Sequence, residues 1–395
     1  MVPPERVTAA APPEAGAGPQ PRRLHIVHTE ASAGWGGQEI RILTEAEGMQ
    51  SRGHRVTLLC PAHATIYPEA QRRGLEVVAL PIGRKKPGGI AALRRWLKRH
   101  PVDVINTHSS TDSWLAGLAC GLLRHPPAIV RTRHISTAVR ASRANRWLYL
   151  RSAARVVTTG EKLRRDLVQS LGADTRHIVS IPTGIDLWRF SPGDRTEARR
   201  TLHLPESDAL VGIVATLRSW KGHDDLLEAF ATMKRGGARL IIVGDGPCNE
   251  PIRRKMRMLG IDQQVVMPGN QDDVTPWIRA FDVFVLPSFA NEGVPQALMQ
   301  AMACGVPVVS TTVGSIPEIV TPERTGLLVP PKDPEALAAA LTRVLDDDAL
   351  RSRLADAGYA YAQQHFGIDI MLDRMEALFR EACDRTAGAT SHSDR

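Results

Sequence analysis

The chain has 395 residues, long for a single core, so two domains are expected. Hydrophobic residues at 43% and charged residues at 23% are the balance of a globular enzyme, and no apolar run approaches the ~20 residues of a membrane span. The net charge of +8 calls for an anionic partner, but with 5% aromatics and no recognised binding module that partner is not expected to be nucleic acid.

Residues 1–22 are rich in Ala, Pro and Gly, lack the apolar centre of a signal peptide, and are expected to be a disordered lead-in. Short Val/Ile/Leu runs then alternate with helical patterns. Leu24–Thr29, Arg55–Leu59, Val102–Asn106, Ala128–Arg131, Arg155–Thr158 and His177–Ser180 read as strands of a first unit, with Ile40–Ser51 and Ile90–Arg99 among the helices between them. After the Pro182–Pro192 linker the pattern restarts with Leu210–Ala215, Ala238–Val243, Gln264–Met267, Asp282–Leu286 and Val306–Val309. Such alternation gives an α/β chain of two Rossmann-like parallel-sheet domains, residues 23–188 and 189–366. Pro334–Asp346 and Ala349–His365 read as helices without strands between them. In the last segment, residues 367–395, Ile370, Met371, Met375, Leu378 and Phe379 recur at helical spacing ahead of a polar tail.

The ends of parallel strands are where open α/β sheets bind ligands, so the loops there carry the candidate chemistry. AGWGGQE brings Gly36 and Gly37 to the start of a helix, where they would let a ligand reach backbone amides; an ordinary glycine turn is the alternative. THSSTD and RTRHIS place His108, Arg131 and His134 at strand ends. His134, among basic and hydroxyl neighbours, ranks above His108, which reads equally well as a satisfied polar residue. In ATLRSWKGH, Arg218 and Lys221 could hold a diphosphate, although two solvated loop charges are the commoner arrangement. GDGP supplies Gly244 and Gly246 in a tight turn, and MPGNQDDV exposes Asn270. LPSFANEGVPQALMQAMACGVPVV sets Glu292 at the expected mouth of a helix and Gln300 a little over two turns later, near one face, with Gly293 and Val294 between. Glu318 in VGSIPE reads as a ligand contact or, slightly better, as a helix N-terminal acid. The Asp346–Asp348 run, between polar helices, reads as a helix end and not as a metal site.

Two basic groups, Arg84, Lys85, Lys86, Arg94, Arg95, Lys98 and Arg99 with Trp96, and Arg140, Arg143, Arg146, Arg151 and Arg155 with Trp147 to Leu150, read first as solvated faces. They would equally favour an anionic membrane surface, at ~1 kcal/mol per close cation. Cys60, Cys120, Cys248, Cys304 and Cys383 show no CxxC spacing and read as reduced thiols of a cytoplasmic protein.

SFANEGVPQALMQAMACGVPVV resembles the nucleotide-sugar signature of retaining GT-B glycosyltransferases of family 4, whose pattern is Glu, seven residues, Glu. Here the second acid is Gln300. GGQE, His134, Lys221 before Gly222, GDGP and the MPGNQDDV loop also fall at family-like positions, and the family arginine falls near Thr216, leaving Arg218 as its substitute. The resemblance, from about Leu24 to Cys383, implies a GT-B fold with an interdomain cleft and a final helix crossing back to the first domain. It implies transfer of a sugar from a nucleoside-diphosphate sugar to a glycan or lipid-linked acceptor, in cell-surface polysaccharide or lipopolysaccharide synthesis, with retention and with no cofactor or metal. In that reading His134, Lys221 and Glu292 are catalytic. Gly36, Gly37, Arg218, Gly244, Gly246, Asn270, Gly293, Val294 and Gln300 help bind the donor; His108 and Arg131 serve the acceptor. A nucleotide-sugar 2-epimerase on the same fold, or a non-catalytic glycan-binding relative, are the alternatives. A cytoplasmic enzyme at the inner face of the plasma membrane would suit the basic faces.

Overall fold

The computed structural model describes residues 22–393 apart from Ser136, Lys234 and Asn291; the expected lead-in thus lies almost wholly outside the described residues. The first domain is built on β1 (His25–Thr29), β2 (Arg55–Cys60), β3 (Glu76–Ala79), β4 (Val104–Thr107), β5 (Ala128–Arg133), β6 (Arg155–Thr158) and β7 (Ile178–Ser180). The second carries β8 (Ala209–Val214), β9 (Ala238–Val243), β10 (Val265–Gly269), β11 (Val283–Leu286), β12 (Val308–Thr311) and β13 (Leu327–Val329). Every pairing between these strands is parallel, in the orders β3-β2-β1-β4-β5-β6-β7 and β10-β9-β8-β11-β12-β13. Helices cover both faces, which is why β1, β4 and β11 are buried at every position. In each sheet the order reverses beside the first strand, opening a crevice above the strands' carboxyl ends.

Two strands were not expected, β3 and β13. Both are edge strands, short and partly exposed, so neither forms a continuous buried run. The other strands fall within one or two residues of the expected bounds.

The chain crosses between domains twice, and the crossings are tied together. Ile185 N–H donates to the Phe366 carbonyl at 2.6 Å and Ile368 N–H to the Ile185 carbonyl at 3.1 Å. The final helix, Ile368–Ser393, then lies on the first domain. Met371, Leu372, Met375, Leu378, Phe379 and Ala382 join Ile26, Ile42, Val104 and Val130 in one core. Ile370, expected on that stripe, is instead 37% exposed, because a residue one place before Met371 is turned about 100° off the buried face. Gly48 on the helix Gly37–Ser51 leaves the space that Leu372 fills.

Candidate active site

The loops that follow the strands of the two sheets face each other. Gln296 Nε2 of the second domain donates to the Gly37 carbonyl of the first at 2.9 Å. Gly293 stands against the first domain: a Cβ there would lie 3.0 Å from Thr159 Oγ1 and 3.4 Å from the His134 carbonyl oxygen. Glu318 reaches across as well, its carboxylate accepting from the N–H groups of Glu161 and Lys162, both at 2.6 Å. It is therefore a helix N-terminal acid, as one of the two sequence readings had it, but for the helix Glu161–Leu171 of the opposite domain.

On the second domain's side, β8 and β11 are neighbours, with Val283 opposite Val211, so the loops beyond them meet. Lys221 closes the one-turn segment Ser219–Lys221 after β8, and its Nζ is 2.6 Å from Glu292 Oε1. Ser288 Oγ donates to the same oxygen at 2.6 Å. Glu292 is 5% exposed. The loops approach this closely because Gly222, at φ +75°, has no side chain: a Cβ would fall on the Pro287 carbonyl. Gly314, at φ +61°, admits the Glu292 carbonyl in the same way. The Phe289 N–H donates to the Trp220 carbonyl at 2.9 Å and completes the joint.

The helix begins at Gln296, four residues beyond Glu292, with Pro295 before it. Glu292 and Gln300 therefore do not share a helix face as the spacing suggested. Glu292 sits on the loop, whereas Gln300 is on the helix, half-buried, with no hydrogen bond to its side-chain amide among the described residues. Val294 packs into the core, so its backbone alone is available to a ligand. Gly244 (φ +136°) and Gly246 (φ +158°) bring the GDGP turn against the backbone of Ala215 and Leu217, under the Lys221 loop. Arg218 is exposed at the rim, its guanidinium 5.3 Å from the Trp220 ring centroid. Asn270 is exposed beyond β10, two strands away from β8, and is not gathered with Lys221 and Glu292.

On the first domain's side three histidines form a row. His28 Nδ1 is 2.9 Å from His108 Nε2, and His108 Nδ1 is 2.9 Å from His134 Nε2. Burial, with the Arg41 charge nearby, pushes the His28 imidazole down to about 3. Burial also holds His108 and His134 well below the usual range; the neighbouring histidines and Arg41 add to it at His108, and Arg41 at His134. Sequence reasoning found two of the three. His28, within the strand HIVHT, gave no signal, since its partner is 80 residues away. Arg131 is 4% exposed, its guanidinium 4.1 Å from the Tyr149 ring centroid and its Nη2 donating to Tyr149 Oη at 3.0 Å. The Gly36–Gly37 loop is held from beneath by Glu30, which accepts from the Ser32 N–H at 2.6 Å and from Gln38. Burial and the Asp112 carboxylate push Glu30 up to about 8.

Of the basic groups, Arg155 is buried in a pair with Glu381 of the final helix, and Trp96 is buried and stacked on His100. The other cations named for these faces are exposed or half-buried. Asp346 pairs with Arg235, and Asp347 caps the helix Asp348–His365, so the triple-Asp run is a helix boundary. Burial pushes the thiols of Cys60, Cys120 and Cys304 up to about 12, as suits packing residues.

Comparison with known proteins follows the same division. Residues 35–189 match the family described as Glycosyltransferase Family 4, and residues 208–347 that described as Glycosyl transferases group 1. The chain is similar to a D-inositol 3-phosphate glycosyltransferase of Geodermatophilus obscurus, at 30% identity over 77% of this chain and 72% of that one. A protein of the same name from Xylanimonas cellulosilytica is 28% identical over 89% and 93%. The fold is that of an Anabaena protein, HepE, solved in complex with UDP-glucose, with a TM-score of 0.79 at 20% identity over 91% of this chain and 100% of that one.

Proposed function

The chain belongs to glycosyltransferase family 4, and from that premise we propose that it transfers a sugar from a nucleoside-diphosphate sugar to an acceptor hydroxyl with retention of configuration and without a metal ion. The observation that carries this reading is the Lys221–Glu292 pair, at the second sheet's switch point and across the cleft from His134. Lysine has three N–H donors, so Lys221 can keep Glu292 and still donate to a diphosphate oxygen. Charge accumulates on that diphosphate as the sugar bond breaks, which makes a fixed cation worth most at the transition state. Glu292, with Ser288 on the same oxygen, keeps its second oxygen for hydroxyls of the transferred sugar. His134 meets that sugar from the first domain. Gln300 would bind the ribose through an amide, with bonds about half as strong as those of the family's carboxylate. UDP-glucose, bound by the Anabaena protein, is the first donor to test.

For the acceptor we favour a glycan or lipid-linked sugar on the first domain. The exposed basic faces support this, since they would hold the enzyme to anionic lipid where such acceptors lie. The names of the relatives support a second reading, D-inositol 3-phosphate. Incubation with UDP-, GDP- and ADP-sugars and both acceptor classes, with product anomers assigned by NMR, tests all parts. An inverted anomer, or epimerised nucleotide sugar with no transfer, would overturn the proposal. The membrane part predicts binding to phosphatidylserine vesicles at low salt that fades at high salt; no binding at low salt removes it.

A further inference from the structure

The histidine row is more than a site residue with polar neighbours. β1, β4 and β5 are adjacent in the sheet, and His28, His108 and His134 stand on the same face of it, on or just beyond these strands. Asn106 pairs with His28 in the ladder, and one step on along β4 the same face presents His108. The row thus runs from inside the sheet to the cleft. His28 is wholly buried and His108 is 4% exposed, while His134 is half-buried beside Gly293.

Each of the two N···N contacts needs one hydrogen. A neutral imidazole has one N–H and one bare nitrogen, so three neutral rings can be ordered in two ways only. In the first, every ring carries its hydrogen on Nδ1. His28 then donates to His108, His108 donates to His134, and the His134 Nδ1–H is left for the cleft. In the second, every ring carries it on Nε2, the donations run inward, and the cleft meets a bare nitrogen. The inner end decides between them. His28 Nε2 is buried with no partner among the described residues. The second order would leave an N–H stranded there, and orphaned buried N–H groups are rare. The first order strands only a lone pair, a lesser loss. The charge of Arg41 acts on all three rings and opposes an added proton that would break the order.

We infer that His28 and His108 are positioning residues that lock His134 as its Nδ1–H tautomer, so that His134 meets the transferred sugar as a hydrogen-bond donor to an oxygen and never as a base. The inference rests on the proposed function for the identity of the ligand, but the tautomer itself does not. A sugar hydroxyl facing His134 must accept there and is free to donate elsewhere. This restricts which oxygen of the donor can lie against the ring.

The test is NMR of the full chain labelled with ¹⁵N-histidine, with His134 assigned from a His134→Asn variant. Two- and three-bond correlations distinguish a protonated Nδ1 from a protonated Nε2. The expected result at pH 7 is the Nδ1–H form for His134 in the wild type, mixed with the Nε2–H form in His108→Phe. His108→Asn, whose amide can donate from near the place of the lost Nδ1–H, should restore it. Turnover should follow the tautomer: kcat down about tenfold in His108→Phe, the rate equivalent of one hydrogen bond, with most of it regained in His108→Asn. An Nε2–H or charged His134 in the wild type overturns the inference. So does an Nδ1–H signal unchanged in a folded His108→Phe. If no nucleotide sugar is turned over, the proposed function fails while the NMR result still decides this one.

Discussion

The two walls of the cleft are built by different means. The second domain's wall is set by backbone shape: Gly222 and Gly314 let loops pass so closely that Lys221, Ser288 and Glu292 meet at hydrogen-bond distance. The first domain's wall is set by buried side chains. Above them is the histidine row. Below it Asn106 donates to Glu45 at 2.9 Å and accepts from Thr132 at 2.8 Å, and Arg41 lies 3.6 Å from Glu45. A wall made by backbone shape tolerates change in side chains that are not part of the chemistry, but not added bulk at its glycines. A wall made by a polar network is sensitive at each member, and sensitive to pH.

The largest effect should come from the chemistry of the first kind of wall. Lys221→Ala is expected to lower kcat by about a hundredfold to a thousandfold, the range for losing one fixed transition-state donor. Urea unfolding should also move, by about 1–3 kcal/mol, because buried Glu292 is left with Ser288 and no cation. A mutant rate within threefold of wild type would remove the lysine from the mechanism.

Next is the glycine joint. Gly222→Ala meets both a left-handed backbone, at about 1–2 kcal/mol, and a clash with the Pro287 carbonyl, at about 1–3 kcal/mol. Gly53 is the control, since it is also left-handed (φ +87°) but has nothing within 4 Å of where a Cβ would stand. Gly53→Ala should lose only the backbone part. If the two alanine variants unfold at the same urea concentration, close loop contact is not what builds this wall.

These two walls also explain what the sequence disclosed. Lys221, Glu292 and His134 were legible because each lies at the end of an apolar strand run, where parallel sheets place ligands. Their meeting was not: Lys221 and Glu292 are 71 residues apart, and only the β8–β11 pairing joins them. His28 was illegible for the opposite reason, being inside the strand and looking like an ordinary polar member of it. Glu318 showed as a ligand contact or a helix N-terminal acid without its helix, because the helix it caps begins 157 residues earlier in the chain. Among the strands, long buried runs such as Ala238–Val243 were read to the residue, and the short edges β3 and β13 were missed.

The polar wall should reveal itself by pH. An unfolded histidine takes up a proton near 6.5, whereas folded His28 is held down to about 3. Between these values the unfolded chain binds the proton and the folded one does not. Stability tied to His28 is therefore complete above pH 6.5 and falls as the pH falls, by about 1.4 kcal/mol per unit. Glu30, raised to about 8, acts in the opposite sense between pH 8 and its unfolded value near 4.5, so the whole protein's profile mixes the two. Comparison with His28→Asn isolates the histidine. From pH 6.5 to 5 wild type should lose about 2 kcal/mol relative to the variant in urea unfolding. A constant difference would mean that folded His28 takes up the proton freely.

The smallest effect joins the walls to each other. Glu318 caps the helix Glu161–Leu171 from the opposite domain, so its contact exists only while the cleft is closed as described. Removing a cap costs about 1 kcal/mol. In Glu318→Ala that loss would fall on the closed arrangement and not on either domain's own core, since neither sheet depends on the contact. Small-angle scattering without ligand should then show a larger radius of gyration than wild type, and a saturating donor should bring the two together by rewarding closure. Identical scattering before and after donor, with wild-type stability, would mean that the Gln296–Gly37 bond and the paired crossings at Ile185 and Ile368 hold the walls together without it.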